Sequence, residues 1–186
     1  EVIQQNVKHK VNVDDKDKLV IDNNTSFKKP HKSNVYFISI DSNDRLIDMY
    51  PEPNHYKIDF GSKPSILGGV SDLQEKNISR NFLNVTLVKL IDVIIKPEDT
   101  LNYPYILLEI TELGGKIYGS NPIIDSSFAK LTYFTLMNNY YYYRLDIEKE
   151  FNPPIDINHL TFNFKYPDGT TANLLENSIN LKLVTI

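Results

Sequence analysis

The chain has 186 residues, with 20 Lys+Arg against 24 Asp+Glu and a formal charge of −4, a length that suits one domain or one domain with an arm. The absence of cysteine excludes a disulfide scaffold, a thiol nucleophile, a Cys-type zinc site and an iron–sulfur cluster. The mildly acidic balance gives no global footprint for nucleic acid, and no apolar run approaches the roughly 18–20 residues of a membrane helix.

About 20 Asn and about 21 Ile stand beside 12 Tyr and 9 Phe, with hardly any Ala. Branched and aromatic side chains fit the pleated surface of strands, and Ala, the best helix former, is nearly missing. The composition predicts an all-β protein.

Residues 1–33 differ from the rest. They hold seven Lys, five acids and one aromatic, Phe27, and so bury too little apolar surface to order themselves. They are expected to form an extended N-terminal arm held by neighbouring subunits, with Phe27 as an interface residue. The sandwich is expected over 34–186.

From Asn34 the text becomes strand, turn, strand. Residues 35–41 (VYFISID) read as a strand, and 55–60 place Tyr56, Ile58 and Phe60 on one face. Residues 85–95 are apolar on both faces, as in a strand covered on both sides. A strand over 104–110 leads to the turn glycines Gly114 and Gly115. Two runs, 128–137 and 140–146, flank Asn138-Asn139, a two-residue hairpin loop because Asn tolerates positive φ. Residues 160–166 alternate Phe162, Phe164 and Tyr166 against polar residues and end at Pro167-Asp168-Gly169, a turn. The chain closes on Ile179, Leu181 and Leu183 in alternation. About eight strands result, the pattern of an antiparallel β-sandwich, read as a single jelly roll. The one helix expected is short and lies within 71–82.

Chemistry-bearing motifs are few. Asp41, Asn43 and Glu52 fall at calcium-loop spacing, but Arg45 and Leu46 occupy positions that need an oxygen ligand and a glycine. Asx turns with a carboxylate–guanidinium pair (Asp41 or Asp44 with Arg45) are the better reading. Tyr50-Pro51-Glu52-Pro53-Asn54 is a stiff lead into a strand. Tyr140 to Tyr143 send two rings to each face of a strand; one pair is expected in the core and the other on a surface, where Tyr suits a protein interface or glycan stacking. Tyr141 and Tyr143 are taken as the interface pair. The histidines at 9, 31, 55 and 159 share no metal spacing. No nucleophile elbow or phosphate-cradling glycine loop occurs, so neither an enzyme nor a cofactor is expected.

Ile40-Asp41-Ser42-Asn43-Asp44-Arg45, followed by Tyr50-Pro51-Glu52-Pro53-Asn54 and an alternating strand, resembles the "DSRDR … YPNP" opening of capsid-associated proteins of large double-stranded DNA viruses. Later stretches run in parallel, among them Phe151-Asn152-Pro153-Pro154, Leu160-Thr161-Phe162 and Pro167-Asp168-Gly169. The likeness covers about residues 35–186 and departs from the pattern at Asn43 and Glu52. It implies a virion structural protein with a jelly-roll core: the penton subunit at the five-fold vertex of an icosahedral capsid or, alternatively, a minor capsid protein cementing major subunits elsewhere. Its partners would be itself, as a homopentamer, and the major and minor capsid proteins. It would be assembled in the host cytoplasm, with an inner viral membrane nearby that it does not span. The further alternative, from the Tyr run, is a carbohydrate-binding sandwich on the virion surface. Asp41, Asp44, Arg45, Tyr50, Pro51 and Pro53 join Phe27, Tyr141 and Tyr143 as expected interface residues.

Overall fold

A computed structural model describes residues 32–61, 78–98, 103–132, 136–137 and 139–186. The arm up to residue 31, with Phe27, lies outside the described residues, as does most of the helix expected within 71–82. Among the described residues nine strands follow one another: β1 Asn34–Asp41, β2 His55–Asp59, β3 Phe82–Pro97, β4 Tyr105–Ile110, β5 Ala129–Thr132, β6 Leu136–Met137, β7 Tyr140–Ile157, β8 His159–Lys165 and β9 Leu174–Thr185. They form two antiparallel sheets, one in the order β1-β9-β3-β7-β6 and the other β2-β8-β4-β5. Every connection except β4 to β5 and β6 to β7 crosses from one sheet to the other. That order is the wrap of a jelly roll, so the all-β sandwich read from the residues holds, and its topology is settled.

Alternation builds the core between the sheets. Tyr56 and Ile58 of β2, Leu160, Phe162 and Phe164 of β8, and Ile106, Leu108 and Ile110 of β4 meet Ile38 and Ile40 of β1 and Ile179, Leu181 and Leu183 of β9. Rings lock edge to face where Phe60 meets Phe82 at 5.2 Å between centroids, a geometry worth up to about 1.5 kcal/mol beyond its area.

Two expectations need correction. Strand β3 is not covered on both sides. Val88 and Leu90 are buried, then Val93 and Ile95, because the register shifts between Leu90 and Asp92. A bulge there lets one face keep the core across an odd step, while Lys89, Asp92 and Ile94 stay only half-buried on the outside. The run 128–137 is two strands, β5 in one sheet and β6 in the other. Outside the segment where a helix is expected, the described residues hold one α-helical turn, α1 Pro122–Asp125, capped by Asn121 with Pro122 opening it, and one 3-10 turn over Ser42–Asp44. The hairpin expectation is met: Met137 pairs with Tyr140, and Asn139 sits at φ +66°.

Candidate functional site

The segment 41–54 carries the motif and turns out to be a stapled loop at one end of the sandwich. Asp41 closes β1 and accepts a hydrogen bond from the Asn43 amide at 2.8 Å, an Asx turn. The Arg45 guanidinium then fans over the loop's backbone. Its Nη1 donates to the Ser42 carbonyl at 2.7 Å, Nε to that of Tyr50 at 2.9 Å and Nη2 to that of Pro51 at 2.7 Å. One rigid fork thus satisfies carbonyls on both limbs of the loop. The expected Asx turn is present, and the three Arg45 hydrogen bonds go to main-chain oxygens.

The loop's buried end is tied to both sheets through Asn177 of β9. The Asn177 amide nitrogen of the main chain donates to Ser42 Oγ at 2.9 Å, and its Nδ2 donates to the Pro53 carbonyl at 2.7 Å. Its Oδ1 accepts from Tyr56 Oη at 2.7 Å. Burial, more than the nearby carboxylates Asp41 and Asp44, pushes the Tyr56 phenol well above its ordinary value, so it remains a donor. Asn54 extends the tie: its Nδ2 donates to the Ala172 carbonyl at 2.9 Å, and its own carbonyl accepts from the Phe164 amide at 2.9 Å.

The expected interface residues therefore separate. Pro53 is buried inside this network and is unavailable to a partner. Tyr50 is half-buried and packs edge to face against His55. Pro51 is exposed, and Ile47 and Met49 join it as an exposed apolar tip that the sequence reading missed. Beside that tip a cleft is lined by Met49, Tyr50, Pro51, Glu52, His55 and Asn173 among others. Asp44 is exposed on the 3-10 turn.

The Tyr run alternates as expected but with the opposite pair outward. Tyr143 is 2% exposed and belongs to the core, and Tyr141 packs against it. Strand β7 turns Tyr140 and Tyr142 out, opposite the expected assignment, because Tyr143 pairs with buried Val93 across the ladder. Tyr142 is 40% exposed. Tyr140 donates a short hydrogen bond to Glu176 of β9, which Lys96 of β3 also meets at 3.2 Å. The hydrogen bond from Tyr140, then that from Lys96, holds the Glu176 carboxyl below the ordinary carboxylate range. A depressed folded-state pKa adds stability that is present at neutral pH and is lost as pH falls through the folded value. We expect Glu176→Gln to flatten the acid limb of the stability curve while changing neutral-pH stability by under about 1 kcal/mol, because the group is part exposed. Urea melts between pH 3 and 7 would show it; an unchanged acid limb would refute the linkage.

The carboxylates of Glu109 and Asp146 stand in different sheets. Glu109 of β4 binds Lys165 at 2.5 Å in one sheet, and Asp146 of β7 binds Lys89 in the other. The hydrogen bond from Lys89 lowers the Asp146 pKa. Glu112 ties β8 down, accepting from the Thr161 amide at 2.7 Å and from His159 Nε2 at 3.1 Å. Among the described residues no three His, Asp or Glu side chains group as metal ligands, and no helix is long and apolar enough to cross a membrane.

No protein family and no curated protein matches this chain. The class the fold and loop define is a jelly-roll β-sandwich with one end-loop fixed to both sheets.

Proposed function

We propose that this chain is a non-enzymatic virion structural protein, the subunit of the five-fold vertex of an icosahedral capsid, and that it acts by assembly. The observation that carries the reading is the end-loop. The residues that resemble the capsid-associated motif, from Asp41 to Arg45 and from Tyr50 to Asn54, form one rigid element that presents Ile47, Met49 and Pro51 outward. A rigid apolar tip docks on a neighbour with little ordering entropy to offset. A jelly roll supports the reading as a building block, although the fold alone hosts many functions.

In this reading five copies form a ring by heterologous contacts, and the ring meets major and minor capsid proteins in particles assembled in the host cytoplasm. Imaging of purified particles tests it. Density for five jelly rolls around each five-fold axis is the expected result. Density only away from those axes would overturn the vertex assignment in favour of the minor-capsid one, and absence from particles would remove both. A glycan-binding reading would rest on Tyr142, the exposed ring of the run, and a glycan array with wild type and Tyr142→Ala would expose it.

A further inference from the structure

Natural sheets guard their edges, because an open row of N–H and C=O groups templates pairing with another chain. Most sheet edges among the described residues carry such a guard. Strand β5 has four residues including Lys130, and β6 has two. Strand β2 has five, with Lys57 and Asp59 paired at 3.0 Å. Beyond β6, the outer edge of β7 carries Arg144, Asp146, Glu148 and Glu150, and then Pro153 and Pro154, residues that repel or cannot donate to an added strand.

Strand β1 carries none of these among its own residues; the Arg80 guanidinium stacks on Tyr36 at 4.2 Å and donates to its hydroxyl at 2.6 Å, on the face opposite Phe37. The strand is eight residues long, regular in register with β9 from Asn34 to Asp41, and is hydrogen-bonded on that side alone among the described strands. Residues 34–40 carry no charge, proline or glycine. The outward side chains are Val35, 49% exposed, and Phe37, 74% exposed, with Ser39 beside them. A large exposed ring on a long edge whose own residues are uncharged is the combination that natural sheets avoid unless something covers it.

We propose that β1 is a docking edge for a second copy of this chain, the two β1 strands pairing antiparallel about a two-fold axis at Phe37. Residues opposite one another in an antiparallel pair share a face, so the positions paired must be both odd or both even. Centring on Phe37 meets that condition and overlaps the whole uncharged run. Phe37 then faces its own copy, Val35 faces Ser39 and Tyr36 faces Ile38. Each Asp41 falls opposite Ser33, so no like charges meet. The edge is self-complementary, which a two-fold contact requires. This contact goes beyond the vertex reading, whose ring contacts are heterologous and use other surfaces, and it survives if that reading fails.

Sedimentation velocity on the purified full chain tests the proposal. Wild type is expected to show a concentration-dependent dimer, and Phe37→Lys to weaken it about 100-fold or more, because the change acts twice and sets two ammonium groups face to face. Phe37 is exposed but faces Lys182 across the ladder with β9, so Phe37→Lys should keep the monomer's circular dichroism and lower its melting only slightly; Ser39→Lys, opposite Asn180, is the second variant and should leave the monomer's melting unchanged. Since the chain has no cysteine, Phe37→Cys places one thiol per copy, and a short bifunctional thiol reagent should link it into dimers, whereas Tyr142→Cys should stay unlinked. A wild type that is monomeric at every concentration would overturn the proposal. So would an oligomer indifferent to both lysine variants, or equal linking at 37 and 142.

Discussion

Replacing Asn177 with alanine is expected to lower stability by about 3 kcal/mol. Its amide joins two buried groups from different segments, the Pro53 carbonyl and the Tyr56 hydroxyl, at 2.7 Å each. Tyr56 is fully buried and Asn177 nearly so, so alanine leaves both partners without water or protein to replace the amide. Each stranded group costs about 1–3 kcal/mol. At 2–4 °C per kcal/mol for a chain of this size, the midpoint should fall by about 6–12 °C. Tyr56→Phe strands only the Asn177 oxygen and should cost about 1–1.5 kcal/mol. The double variant should cost less than the sum, since the two act through one network. Thermal and urea melts decide it: a loss below about 1 kcal/mol for Asn177→Ala would mean that the network does not hold the loop to the sheets.

Asn177 also marks where the sequence stops being legible. The sandwich could be read because period-two alternation is local: Phe162 and Phe164, or Ile179, Leu181 and Leu183, declare their inward face from a few neighbours. Three departures defeated that logic. The bulge between Leu90 and Asp92 flips the phase of β3, so a strand with one core face reads as apolar on both. Strand β7 runs 18 residues through Pro153-Pro154. The prolines are tolerated because they fall between the rungs Glu150 to Leu87 and Ile155 to Val85, where the ladder is already out of register. The Tyr run gives two equivalent phases, and only the pairing of Tyr143 with Val93 chooses between them. For the end-loop, the motif named the right segment, but its chief partner lies 124 residues from Pro53. An Asn there is one among many, with no local signal to single it out. Phe37 was legible in principle, since the alternation of 35–41 sets it opposite Ile38 and Ile40.

Arg45→Lys is expected to cost about 2 kcal/mol although it keeps the charge. The guanidinium reaches three carbonyls at 2.7 to 2.9 Å from one planar group. An ammonium is a point donor on a flexible stem and cannot span Ser42, Tyr50 and Pro51 together. Hydrogen bonds from a charged donor contribute about 1.5–3 kcal/mol each when fully shielded, and partial exposure of this side chain reduces the total. The loss should concentrate in the loop. The amides of Met49 and Tyr50, which donate to the Leu46 carbonyl at 3.0 and 2.7 Å, should exchange with solvent about 30-fold faster while the amides of β3 and β9 keep their protection. A second variant separates holding the tip from being the tip. Met49→Ser alters an exposed side chain and should change stability by under about 0.5 kcal/mol. In the vertex reading it should nonetheless impair particle assembly as much as Arg45→Lys does, because one variant removes the contact and the other releases its aim. If Met49→Ser assembles normally while Arg45→Lys does not, the loop serves the domain's own stability, and the apolar tip is not the surface that meets a neighbour.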